Sequence, residues 1–499
     1  MVYHRTLVIF ALASISVACA VGPDYKKPEV PLSEHYMGKA QVDGRITAGK
    51  ADIERWWEGF NDPLLSRFVA RAFEQNLDIA QASARITQAR SGVRMTNAAL
   101  LPSANITASA TKNHQSLETP LGQLLNATPG YDRNGSLYEA NLSASWEMDI
   151  FGGLQRDQQA ALADYQASEA SKVATRLAVA AQTADLYITI RNLQSRINIA
   201  KQQMETQQKL LSIVSLLYNK GLAPKLQVQQ TEGALSQVRA TIPALEASLD
   251  AALNAFDVML GVPPGTYRAE LTPVQSIPSP PQITSMGTPA DLLRRRPDLI
   301  VAERQLAAAN ARVGVAIAEY YPKFSISALL GTATAIATGN MFSSGANQAA
   351  GILGLRWRLF DFARIDAQID SAHGSEAEAL ARYRQAVLRA TADVENAFSS
   401  LVKSEEQTVA LTEGEASLAN ARSSAFTAYQ KGLLSLIEVL HADENLLKIS
   451  DAKAQAQAQS AQAAVAAFKA LGGGWDGSKL EMQPATSHLK PATSLASGI

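Results

Sequence analysis

The chain repeats itself, and this restricts its fold more than any other feature. "YNKG" at 218–221 returns as "YQKG" at 429–432, an offset of 211, and Trp146 and Trp357 stand at the same offset. Upstream, "NLDIAQASARI" (76–86) aligns with "RPDLIVAERQL" (296–306), and "LLPSANI" (100–106) with "YYPKFSI" (320–326), both at an offset of 220. The chain is thus two copies of one unit, 63–260 and 289–471. Residues 261–288 join them. This segment is rich in proline (Pro263, Pro264, Pro273, Pro278, Pro280, Pro281) and reads as an extended linker.

Each copy has the same internal order. Copy one opens with "NDPLL", where Asp62 serves as N-cap and Pro63 takes the first helical position. Copy two opens with "TPAD": Thr288 caps, Pro289 starts, and Asp291 sits near the positive helix end. A single helix is expected from there to Leu101 or Tyr321, stopped by Pro102 or Pro322. Two weakly alternating stretches follow, about 103–112 and 139–150 in copy one, 323–336 and 350–360 in copy two. They read as β-hairpins with polar loops, and their low signal and small residues are the pattern of membrane-barrel strands. Residues 154–220 then contain neither Gly nor Pro, which predicts a helix about 100 Å long. Its counterpart is about 364–431. Gly221 or Gly432 ends the long helix, and a return helix follows, about 223–260 or 433–471.

These lengths imply an architecture. The first and return helices, each about 57 Å, match one long helix when stacked end to end. Four strands cannot close a barrel around a channel, and an open sheet edge in lipid leaves unpaired backbone groups that cost several kcal/mol each. Several protomers must pool their strands, and three would give twelve. The expected fold is mostly α with a membrane β-barrel part: a trimer with a 12-stranded barrel continued by an α-helical tunnel.

The N-terminus supplies an address. Residues 1–18 have a short polar start at His4 and Arg5, an apolar run, and small Ala18 before Cys19, the chain's single cysteine. This is a signal peptide, too short for a transmembrane helix. Cleavage before Cys19 resembles the lipobox of bacterial lipoproteins, with Ser16 and Val17 departing from the usual Leu and Ala or Ser. That resemblance implies a diacylglycerol on Cys19. The alternative is an ordinary signal peptide with an incidental cysteine. Residues 19–62 would then be a lipid-anchored extended, equatorial segment, and 472–499 a C-terminal tail.

Composition excludes other classes. The net charge of −1 offers no basic footprint for nucleic acid. The six histidines are scattered without metal-ligand spacing, and no catalytic motif is present, so neither an enzyme, a metal nor a cofactor is expected.

The chain resembles the TolC family of outer-membrane factors, in the lipoprotein branch of resistance-nodulation-division (NodT-type) efflux systems. The resemblance rests on "CAVGPDYKKP" (19–28), "WWEGFNDPLL" (56–65), "WEMDIFGG" (146–153), "RRPDLIVAERQL" (295–306) and the tip "YQKG". It implies a homotrimeric outer-membrane exit channel that passes small molecules, docked on a periplasmic adaptor and an inner-membrane pump. A protein-secretion channel and a non-conducting, lipid-anchored coiled-coil spacer are the alternatives. The duplicated hairpins count against the spacer.

The resemblance also places candidate sites. The helix tips, with Lys220, Gly221, Lys431 and Gly432, would dock the adaptor; otherwise the glycines serve only the turn. The family usually has an Asp on the second return helix facing the periplasmic mouth. His441 stands at that position here, with Ile437 and Glu444 on the same face. These three would line the gate, unless His441 is a solvated or interhelix residue. Trp146 and Trp357, near the strand ends, are expected either at the membrane interface or buried at the barrel-to-helix junction.

Overall fold

A computed structural model describes residues 20–45, 50–283, 287–336 and 340–476. The expected signal peptide, Cys19 and all but the start of the expected C-terminal tail lie outside the described residues. The long elements, in chain order, are helix α1 (Pro63–Gln75), helix α2 (Leu77–Ala99), strands β1 (Ser103–His114) and β2 (Asn134–Met148), helix α3 (Gly153–Asn219) and helix α4 (Lys225–Met259). Copy two continues with helix α5 (Pro297–Ala318), strands β3 (Lys323–Thr334) and β4 (Asn347–Arg356), helix α6 (Phe362–Gln430) and helix α7 (Leu436–Ala470).

The single first helix expected in each copy is broken. In copy one the break falls at Asn76, which has extended backbone. The Asn76 side chain caps α2 by accepting from the amides of Asp78 and Ile79, while its Nδ2 donates to the Met259 carbonyl at 2.8 Å. In copy two the break falls at Arg296, just before Pro297, a position where helical backbone is disfavoured. The Arg296 guanidinium donates to the carbonyls of Ala390 and Ala470. Each break receives the end of a return helix. Gly261 is pressed against the Gln75 carbonyl and Gly472 against that of Arg295, both with positive φ.

The strands also differ from their expected bounds. β2 begins at Asn134 rather than 139 and stops at Met148; β3 stops at Thr334 and β4 at Arg356. They form one antiparallel sheet in the order β1-β2-β3-β4. Both outer edges are open. One face carries Ile106, Leu142, Trp146, Ile326, Leu330 and Leu353, placed there by cross-strand register. The other carries Ser and Asn at positions such as Asn105, Asn141, Ser143 and Ser327. The apolar face is bare within the chain: Ile106 is 80% and Leu353 75% exposed.

Below the sheet the helices stand side by side in the same order, α2, α3, α5, α6. The main core is a belt around the breaks. Trp56 stacks on Phe468 (5.7 Å, 8°), and Phe68 meets Phe256 edge-on (4.9 Å, 86°). The segment expected as an extended linker is tied into this belt. Leu271 and Ile283 are buried, and 282–283 pair in parallel with 50–51. The fully buried Arg191 of α3 donates to the carbonyls of Leu271 and Pro273, at 3.2 and 2.8 Å. A buried cation is tolerated only when its donors find such acceptors.

Candidate functional site

The far ends of the long helices are built twice on one plan. At Gly221 (φ 70°) and Gly432 (φ 75°) the chain turns through left-handed backbone, which glycine adopts without steric cost. The Gly221 amide donates to the Tyr218 carbonyl and that of Leu222 to Leu217; Gly432 and Leu433 repeat this with Tyr429 and Ala428. These are helix C-terminal caps that satisfy orphan carbonyls. A Cβ at either glycine would meet nothing within 4 Å. The turn geometry therefore requires glycine, and the surrounding space does not. Lys220 and Lys431 are exposed beside them, and Leu222 (72%) and Leu433 (75%) also face outward.

Just above the second tip, α7 presents two faces. Ile437 and His441 are exposed, and Glu444 is half-buried in an ion pair with Lys448 at 2.6 Å. This pairing holds the Glu444 carboxyl below its usual range. The opposite face carries Leu436, Val439 and Asp443, all buried. Sequence reasoning passed over Asp443 as a structural residue. Its Oδ1 accepts from Arg422 Nε of α6 at 2.7 Å, and its Oδ2 from Gln207 Nε2 of α3 at 3.2 Å. One carboxylate thus joins three helices close to the tips. Burial pushes its pKa up, and Arg422 opposes that shift. The usable signal was spacing: an acid falling on the apolar i, i+3, i+7 stripe of Leu436 and Val439 is a buried acid that needs a partner.

At the other end, the two tryptophans make one contact twice. The Trp146 indole N–H donates to the Leu100 carbonyl, and that of Trp357 to the Tyr320 carbonyl, both at 3.0 Å. Each thus ties the last residues of a strand hairpin to the end of the preceding helix. Both remain partly exposed, on or just past the apolar face.

The chain's first described residues lie at the same level. The Val21 amide donates to the Phe151 carbonyl at 3.0 Å, and Arg156 of α3 donates to the carbonyls of Val21 and Gly22 and to Asp24. Ala20 packs against Gly152, where β2 hands over to α3. From there the segment descends to the belt. Tyr25 donates to Glu303 at 2.5 Å, and the amides of Met37 and Gly38 donate to Glu395.

Among the described residues no helix is long and apolar enough to cross a membrane, and no group of acidic, His or Cys side chains could hold a metal ion.

Known proteins agree with this geometry. The family model for outer membrane efflux proteins matches residues 69–262 and 288–473, the two copies in turn. The chain is 32% identical to the pyoverdine export outer membrane protein OpmQ of Pseudomonas aeruginosa, covering 86% of this chain and 90% of that one. It is 28% identical to nodulation protein T of Rhizobium leguminosarum bv. trifolii, over 92% and 95% of the two chains. Among solved structures, the outer-membrane channel OprN superposes with a TM-score of 0.82 at 30% identity, covering 92% of this chain and all of that one. The Campylobacter jejuni CmeC outer membrane channel superposes with a TM-score of 0.83 at 22% identity, over 92% and 97% of the chains, and this shows the fold alone. The chain belongs to the outer membrane efflux protein family, a family of channels and not of enzymes.

Proposed function

We propose that three copies of this chain form the outer-membrane exit duct of a tripartite efflux system, passing small molecules from an inner-membrane pump and periplasmic adaptor to the exterior. The observation that carries this reading is the sheet: apolar on one face, polar on the other, and open at both edges. Such a sheet is tolerable in lipid only when its edges are paired and its apolar face is turned outward. Twelve strands from three chains would supply a closed barrel with a polar lumen. Helices α3 and α6, each about 100 Å long, would continue it as a tunnel.

The remaining assignments follow the axis of the duct. Ala20 at the sheet-to-helix junction supports a lipid on Cys19, one residue earlier, inserted beside the barrel base. Trp146 and Trp357 would mark the membrane boundary there. At the opposite end, Lys220, Gly221, Lys431 and Gly432 would meet the adaptor, with Leu222 and Leu433 as its apolar contacts. Ile437, His441 and Glu444 would face the narrow mouth, backed by the Asp443–Arg422 pair. The names of the relatives span pyoverdine and toluene, so cargo choice is assigned to the pump rather than to the duct.

Ion conductance across a planar bilayer tests this reading. Purified, folded protein should open discrete water-filled channels. Protein that inserts into lipid without conducting would contradict it.

A further inference from the structure

We propose that Arg94 of one copy reaches Asp370 of the next, across a β4-to-β1 seam of the trimer that repeats the seam inside the chain. This rests on the trimeric reading above.

The two offsets found in the sequence also hold in three dimensions. Ser103 pairs with Ser145, and their counterparts Lys323 and Arg356 pair with each other. Arg90 Nη2 donates to Tyr165 Oη at 3.0 Å, and their counterparts, Asn310 and Glu376, bond at 2.7 Å. The tryptophan contacts described above are a third such pair. A contact from copy one to copy two can therefore be transferred to the open edges, where copy two of one chain meets copy one of the next. Such a head-to-tail interface generates a closed ring when its rotation closes, as it does in a trimer.

The transfer fixes the register. Inside the chain, Leu142 faces Leu330 and Ala144 faces Ala328. Across the new seam, Leu353 then faces Ala110, and Leu355 faces Ala108. All four lie on the apolar face, so the alternation continues unbroken around the barrel. A one-residue slip would turn an entire strand inside out.

The helices below complement each other as well. Inside the chain, the Arg156 stem of α3 lies over Gly314 of α5, where even a Cβ would meet it at 2.8 Å. Their counterparts are Ala367 of α6 and Arg94 of α2. The long side chain changes helix, and the small residue changes with it. Arg156 also donates to Gln159 at 2.9 Å. The counterpart of Gln159 is Asp370, so the neutral partner becomes an acid. Arg94 and Asp370 are both exposed, and neither has an ion-pair partner among the described residues. Arg156 spends its other donors on residues 21–24, and the described residues hold no second copy of that segment for the transferred seam. Arg94 is therefore free to meet Asp370 of the neighbouring copy.

Cysteine crosslinking in the full-length membrane protein reads the register. Leu353→Cys with Ala110→Cys should oxidise to a covalent ladder ending at the trimer. Leu353→Cys with Ala108→Cys should crosslink about tenfold less, because diagonal pairs stand beyond disulfide reach. The ion pair is read from the temperature at which the trimer dissociates in detergent. Arg94→Glu and Asp370→Arg should each lower it, and the double variant should recover at least about half of the loss. A trimer that crosslinks in the shifted register, or a double variant no better than either single one, overturns the seam and leaves the trimer standing. Folded protein that light scattering finds only as a monomer overturns both.

Discussion

Helices α2 and α5 occupy the same place in the two copies and have opposite surroundings. α5 stands between α3 and α6 and buries Leu299, Leu306, Ala307, Ala308 and Val313. Among the described helices α2 packs chiefly along α3, and it buries Ile79 and Ala82. The sequences follow the neighbours: Ala307 and Ala308 correspond to Thr87 and Gln88. The long helices show the same contrast, with α3 central and α6 at the edge. The duplicated unit thus diverged according to where its faces ended up. The seam that folds with the chain became small and apolar, and the face left open in the single chain stayed more polar.

The largest expected effect tests this contrast by exchange. Ala308→Gln places the α2 residue in the fully buried α5 position, packed with Ala163 and Ala307. Overpacking and an unpartnered amide should cost about 2–4 kcal/mol in chemical unfolding. The reverse change, Gln88→Ala, should stay within about 0.5 kcal/mol. Equal costs would mean that the two columns are not distinct.

The next effect concerns Asp185 of α3, whose counterpart in copy two is Asn396. Burial raises the Asp185 carboxyl to about 6, with Lys469 opposing, and its Oδ1 has no hydrogen-bond partner. The folded state therefore holds a proton that the unfolded chain has lost above the ordinary carboxylate range. This contribution is complete below about pH 4 and disappears as the pH rises through about 6. Asp185→Asn should abolish that slope and raise stability near pH 7 by about 1–3 kcal/mol. Unfolding at several pH values from 4 to 8 decides it; an unchanged slope refutes it.

Features that survive duplication should instead respond equally. Gly221→Ala and Gly432→Ala each force a Cβ onto left-handed backbone, at about 1 kcal/mol apiece, with no clash to distinguish them. The smallest effect belongs to Trp146→Phe and Trp357→Phe. Each loses one partly exposed hydrogen bond, about 0.5–1 kcal/mol. A marked inequality within either pair would show that the copies are not equivalent at their ends.

What the sequence disclosed follows the same line. Gly221 and Gly432, Pro102 and Pro322, and the two tryptophans are local signals at matching offsets, so the repeat and its hairpins were legible. The break at Asn76 was not, because Asn is tolerated in helices and the Met259 carbonyl that claims its amide is 183 residues away. The burial of Asp443 could be read from its stripe, but its partners Arg422 and Gln207 could not, because they lie on other helices. The segment 261–288 has the composition of a linker, and its carbonyls are held by donors distant in sequence, Arg191 and Gln194 at Leu271 and Arg45 at Pro281. Local chemistry set the elements, and distant polar contacts set how they join.

Electron cryo-microscopy of the full-length protein in lipid nanodiscs tests the central claim most directly. The account predicts a threefold ring of twelve strands, with β4 of each chain against β1 of the next and the apolar face toward lipid. A sheet whose open edges are capped within one chain, or a ring with any other number of strands, would contradict it.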